Sequence, residues 1–115
     1  MKNPRINYVE YELDDGECIA LSTAPVLLLR LKGANKDVYQ RLSKTLVNGI
    51  DEKDILSEYQ LLYDAYVCAN ADEERMSFKE FIDRANQSYK YNNEMLEELL
   101  QPSKKQHSEQ LSEEQ

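Results

Sequence analysis

Ile55-Leu56-Ser57-Glu58-Tyr59-Gln60-Leu61-Leu62-Tyr63-Asp64-Ala65-Tyr66 reads as a helix before anything else in the chain is considered. Ile55, Tyr59, Leu62, Tyr63 and Tyr66 fall at i, i+4, i+7, i+8 and i+11, the spacing that turns one stripe of an α-helix toward a core. Asp51 stands where an N-cap would accept orphan amide protons, and Asn70-Ala71-Asp72-Glu73-Glu74 breaks the pattern. A fold organised round this segment is mainly helical.

Toward the N-terminus, Lys36 to Asn48 carries Val38, Leu42, Thr45 and Leu46 on one stripe, with Asp37 near the positive end and Gly49 as the stop. Before it, Ser22-Thr23-Ala24-Pro25 has a capping hydroxyl and a first-turn proline, and leads through Val26-Leu27-Leu28-Leu29-Arg30-Leu31-Lys32 to Gly33. This run is apolar almost all round. It is either a fully buried helix or a third strand, and helix is the favoured of the two. Earlier still, Ile6 to Leu13 alternates, Asp14-Asp15-Gly16 has turn chemistry, and Cys18-Ile19-Ala20-Leu21 is a second apolar stretch, which together predict a β-hairpin. A lone hairpin is marginal in water, so it must lie on helices or pair with a strand from a second subunit.

Toward the C-terminus, Ser77-Phe78-Lys79-Glu80 fits a capping box and starts a helix to about Ala85, with Phe78, Phe81, Ile82 and Ala85 apolar. A last helix is expected from about Asn93 to Gln101, carrying Met95, Leu96, Leu99 and Leu100 and ending at Pro102. Ser103 to Gln115 has one Leu among polar residues and cannot recover the entropy of ordering itself. The expected fold is therefore α+β and mainly α. One globular helical domain spans residues 1–102, with an N-terminal β-hairpin followed by four to five helices, and residues 103–115 form a disordered tail.

The 115-residue chain carries a formal net charge of −8. Residues 1–50 hold 7 Lys+Arg against 6 Asp+Glu, whereas residues 51–101 hold 5 against 13, so the acid lies in the second half. Such a total repels nucleic acid and anionic membranes unless a local patch overrides it. No apolar run approaches the length of a membrane span. Cys18 and Cys68 lie among Ile, Ala, Tyr and Val without a C-x-x-C pair, and the N-terminus has no signal-peptide pattern. The expectation is a cytoplasmic chain with both thiols free and buried.

Candidate chemistry is sparse. The single histidine, His107, sits in the polar tail, where no Ser-His-acid or Cys-His set can be held in place. Ala69 to Glu80 is a poor match to a calcium loop: Ala69 and Ala71 occupy the first and third positions, and Glu74 stands where the sharp turn needs Gly. The three glycines are single and far apart, so no phosphate-cradling loop can be written. No catalytic, metal or cofactor residue is expected, and the chain is read as a non-enzyme with no small-molecule substrate. Its eight tyrosines are a different matter. Tyr59, Tyr63 and Tyr66 share a helical side and serve either as core with hydroxyls at the rim or as a protein-binding face. Leu96, Leu99 and Leu100 join them as candidate partner-binding residues. Arg30, Lys32, Lys36, Arg41 and Lys44 form a modest basic set, which keeps a small helical DNA-binding regulator as an alternative, beside a generic protein-interaction module.

Several runs taken in order carry a family resemblance. They are Tyr8-Val9-Glu10-Tyr11-Glu12-Leu13-Asp14-Asp15-Gly16, then Leu29-Arg30-Leu31-Lys32, then Leu61-Leu62-Tyr63-Asp64-Ala65-Tyr66-Val67-Cys68-Ala69-Asn70. Met76-Ser77-Phe78-Lys79-Glu80-Phe81 and Leu99-Leu100-Gln101-Pro102-Ser103-Lys104-Lys105 follow. Over roughly residues 6–105 this order resembles the tail assembly chaperones of long-tailed, siphovirus-type phages and prophages of Gram-positive bacteria. The resemblance implies a non-enzymatic protein of the host cytoplasm, absent from the mature virion. Such a protein binds the tape measure protein and recruits tail tube subunits while the tail is built. An apolar groove with an acidic rim would suit that task, because a tape measure is a long apolar helical protein. The lone hairpin and the apolar first run add the expectation of a homo-oligomer.

Overall fold

The computed structural model describes residues 6–51 and 53–100. Two strands, β1 (Val9–Glu12) and β2 (Cys18–Leu21), precede five helices, α1 (Pro25–Ala34), α2 (Lys36–Asn48), α3 (Leu56–Ala69), α4 (Phe78–Arg84) and α5 (Tyr89–Leu100). The expected hairpin and helical order are both present. The tail expected at 103–115 lies outside the described residues.

β1 and β2 pair antiparallel in the register Val9↔Leu21, Glu10↔Ala20, Tyr11↔Ile19, Glu12↔Cys18. Leu13 N–H donates to Glu17 O at 2.8 Å and Gly16 N–H to Leu13 O at 3.0 Å, closing a three-residue loop whose Gly16 adopts φ +90°. That left-handed conformation suits a residue without Cβ. The register puts Tyr11 and Leu21 on the core face and Glu10, Glu12 and Cys18 on the opposite one. Cys18 is consequently exposed, which corrects the expectation that both thiols are buried; Cys68 is buried, and both are free.

The apolar first run is helical, and Pro25 occupies its first turn. Two details differ from expectation. Gly33 does not stop it; Asn35 does, donating its N–H to Leu31 O at 2.7 Å, and the Asn35 side chain then accepts from Val38 N–H to cap α2. One residue thus ends one helix and starts the next. The run is also not fully buried: Leu27 and Leu31 enter the core, whereas Val26 and Leu29 are 46% and 72% exposed. The Ser22 hydroxyl accepts from Ala24 N–H and donates to Asn7 O, so it pins the entry to α1 to the start of the hairpin.

α2 has the expected bounds, with Val38 and Leu42 buried and Gly49 at φ +88° beyond its end. α3 is the central element, touched by α1, α2, β2, α4 and α5 and buried almost all round from Leu61 to Ala69. Asp51 is not its cap. Asp54 Oδ1 accepts from Leu56 N–H at 3.0 Å, while Asp51 Oδ1 accepts from Lys53 N–H in the preceding turn. Ile55, expected inside, is half exposed.

At the start of α4 the Ser77 side chain accepts from Glu80 N–H and the Glu80 carboxylate from Ser77 N–H, the expected capping box. α5 starts four residues before the expected Asn93, because the Ser88 hydroxyl accepts from Tyr91 N–H and Asn92 turns inward. One continuous apolar core joins the hairpin (Tyr11, Leu13, Leu21) to α1, α2, α3, Phe81 of α4 and Leu96 and Leu99 of α5.

Candidate functional site

The α3 tyrosines are built into the fold. Tyr66 is 6% exposed, its ring stacks on Phe81 at 6.4 Å, and its hydroxyl accepts from Met76 N–H at 2.9 Å. The Tyr63 hydroxyl donates to Met76 O at 3.0 Å, and its ring meets Phe78 edge-on at 5.4 Å. Two successive tyrosines therefore grip the Met76 peptide from both sides and hold the α3–α4 loop. Tyr59 is half-buried beside Asn92. Burial raises the pKa of both Tyr59 and Tyr63.

A second network joins the hairpin to α5. Tyr11 is fully buried and donates to Asn92 Oδ1 at 2.5 Å, while its oxygen accepts from Asn86 N–H at 3.0 Å. Asn92 Nδ2 in turn donates to the carbonyls of Asn86 and Ser88, and the Tyr91 hydroxyl accepts from Glu12 N–H. Both the oxygen and the nitrogen of the Asn92 side chain are thus engaged inside the protein. The network ties β1 to α5 inside the core.

Asp64 is the buried acid of α3, whose other acid, Glu58, lies in the first turn. Asp64 is 1% exposed and receives Arg41 Nε and Nη2, each at 2.8 Å, together with Gln60 Nε2 at 3.1 Å. Burial pushes its carboxyl above the usual carboxylate range against the pull of Arg41, and the same pair raises Arg41. The forked geometry satisfies both oxygens and ties α2 to α3. Arg41 is thereby removed from the expected basic set. Arg30 lies 3.9 Å from Asp72, and Lys32 sits over the Tyr39 ring at 5.6 Å. Arg84 closes the other end of the molecule, binding Asp15 at 2.8 Å and also Glu17.

Of the six candidate partner-binding residues, Tyr66, Leu96 and Leu99 are buried in the core, Tyr59 and Tyr63 are half-buried, and Leu100 is 40% exposed. Leu100 is not isolated. It borders a groove of about 300 Å³ with Val9, Ala24, Pro25, Leu46 and Leu99, and Glu98 stands on the rim. Pro25 and Leu29 are one turn apart on α1, so the apolar surface runs from this groove along α1 past Val26 to Leu29. Leu100 is legible in the sequence as a candidate, whereas the all-round apolar character of the first run reads as burial and does not show that Val26 and Leu29 are the residues left on the surface.

A second groove, of about 580 Å³, lies along β2 and is bounded by Tyr8, Glu10, Cys18, Tyr66, Glu73 and Glu74 among others. Its lining is acidic and half apolar. Among the described residues, no cluster of three His, Cys, Asp or Glu is placed to hold a metal ion, and no helix is long and apolar enough to cross a membrane. His107 lies outside the described residues. Compared with protein-family models, with curated proteins and with solved structures, the chain matches none of them.

Proposed function

We propose that the chain is a non-enzymatic tail assembly chaperone. In this reading it binds the apolar helical tape measure protein of a phage or prophage in the host cytoplasm, recruits tail tube subunits, and is left out of the finished virion. One observation carries the reading. A folded chain with a closed core still presents Val26, Leu29 and Leu100 to solvent, beside a groove floored by Pro25, Leu46 and Leu99. Such a surface on a small protein is where another polypeptide's apolar stripe docks. A helix laid there by its i, i+3, i+4, i+7 positions would meet aliphatic side chains along the groove. The ordered sequence features from the hairpin to Leu100 add to this support.

The test is co-expression with the tape measure protein encoded nearest to this gene. Soluble tape measure protein should rise, and the two should co-elute on size exclusion. Leu29→Glu and Leu100→Glu, both at exposed positions, should abolish the effect without altering the fold. An unchanged tape measure solubility and no co-elution would remove the proposal.

A further inference from the structure

The hairpin has only two strands, so each has an outer edge, and β2's edge is only partly occupied. Leu13 N–H bonds to Glu17 O, so alternation makes Glu12↔Cys18 and Glu10↔Ala20 the pairs whose backbone groups point outward. The partners observed agree with this. Glu12 N–H meets Tyr91, Ala20 O accepts from Asn70 Nδ2 at 3.2 Å, and Ser22 N–H donates to Ala65 O at 3.2 Å. Among the described residues, the Cys18 N–H, the Cys18 C=O and the Ala20 N–H meet no acceptor or donor. These three groups open into the 580 Å³ groove along β2.

We infer that this edge takes an extended, basic peptide segment as a third strand, with Lys or Arg at alternate positions. The backbone supplies a short ladder, and the charge of the groove selects the occupant. A strand beside β2 would lie about 4.8 Å from it. Residues opposite Cys18 and Ala20 would then stand between Glu10 and Glu12 on one side and Glu74 on the other. Among the described residues, no Lys or Arg lines the groove; Arg75, close by, is occupied with the carbonyls of Asn70, Ala71 and Glu73. The intervening peptide residues would point toward Ile19 and Tyr66, which line the same groove and favour an apolar side chain. A second copy of this chain does not fit, because pairing β2 with its own image would bring the two sets of glutamates together. The inference does not depend on the chaperone reading and holds for any partner with such a segment.

Cys18 provides the readout, since it is exposed in the groove while Cys68 is buried. The probe is a capped synthetic peptide of alternating Lys and Val, and the measurement is the rate at which Cys18 of the full chain reacts with a thiol reagent. The reaction is run at about pH 8.5, because partial desolvation and a hydrogen bond with Glu10 hold this thiol above its usual range. Saturating peptide should slow the reaction at least about tenfold, with protection weakening steeply as salt rises. The double change Glu10→Gln and Glu74→Gln should weaken binding of the fluorescently labelled peptide roughly fivefold. Equal protection by an alternating Glu-Val peptide, or by a peptide N-methylated on the edge facing β2, would overturn the inference. So would protection that rises with protein concentration alone, which would assign the edge to a second copy.

Discussion

The Tyr11 hydroxyl donates to Asn92 Oδ1 at 2.5 Å across 81 positions of chain, joining the first strand to the last helix inside the core. Both side chains are at most 1% exposed. Burial drives the Tyr11 phenol well above its ordinary pKa, so the group stays a neutral donor at every physiological pH. The hydrogen bond is what orients Asn92, and through Asn92 the carbonyls of Asn86 and Ser88 that begin α5.

Tyr11→Phe should therefore destabilise the fold more than the loss of one ordinary hydrogen bond. It keeps the ring contacts with Phe81 and Tyr91 but strips a partner from Asn92 Oδ1 and from the Asn86 N–H. A buried Asn92 oxygen and a part-buried Asn86 N–H left short predict a loss of about 2–3 kcal/mol, against about 1 kcal/mol for a bond whose partners regain water. Urea unfolding followed by circular dichroism measures it, and a loss below about 1 kcal/mol would mean that water enters and replaces the hydroxyl.

Arg41 and Asp64 supply the second test. Arg41→Met leaves the Asp64 carboxylate buried with only Gln60 as a donor, and should cost about 2–3 kcal/mol. That is below the figure for a fully buried pair, because the Arg41 side chain is 43% exposed. Asp64 already titrates above its ordinary value, so its folded form binds the proton more readily than the unfolded chain does. Removing the guanidinium strengthens that preference. The defect should thus be largest near neutral pH and shrink as pH falls through the raised carboxyl pKa, the reverse of ordinary acid denaturation. Asp64→Leu combined with Arg41→Met should recover most of the lost stability.

These networks also mark what can be read from the chain alone. The ends of α2 are legible because Asp37 and Gly49 are local signals that no distant contact overrides. The Ser77–Glu80 box is legible for the same reason. The start of α5 is not, since Tyr89, Lys90, Tyr91 and Asn92 look like a polar link until Tyr11 arrives to satisfy Asn92. The exposure of Cys18 is not legible, because its facing depends on register with Glu12, which periodicity in one strand does not fix. Asp64 left a usable trace: it is the only charged residue between Leu61 and Ala69, and a lone acid in an apolar helix calls for a buried partner. The apolar outer face of α1 had the weakest trace, because an all-round apolar helix is equally consistent with burial and with a docking surface.

The capping box provides a smaller, local test. Ser77→Ala removes the acceptor for Glu80 N–H but keeps the backbone N–H that the Glu80 carboxylate accepts from, so one half of the box is lost. A loss of about 1 kcal/mol is expected, read as a lower urea midpoint with an unchanged slope. Glu80→Gln, which keeps an acceptor for Ser77 N–H, should lose less than Ser77→Ala.

Cys68 sets the behaviour of the fold in alkali. Burial pushes its thiol up to about 12, whereas in the unfolded chain it titrates near its ordinary value of 9.0. Between these values the unfolded chain releases the proton and the folded chain keeps it, so ionisation favours unfolding. The stability associated with the neutral thiol is complete below about pH 9. It is lost at up to about 1.4 kcal/mol per pH unit as pH rises toward 12. Other groups, Tyr11 among them, titrate in the same direction, and Cys68→Ala separates the contribution of the thiol. At pH 7 the variant should be less stable, by about 1 kcal/mol for the lost sulfur contacts. Its urea midpoint should then fall less steeply than that of the parent chain above pH 9, and the two curves should converge or cross near pH 10. Parallel curves from pH 8 to pH 11 would show that the Cys68 thiolate is reached by solvent in the folded chain, and would contradict its burial against α3's neighbours.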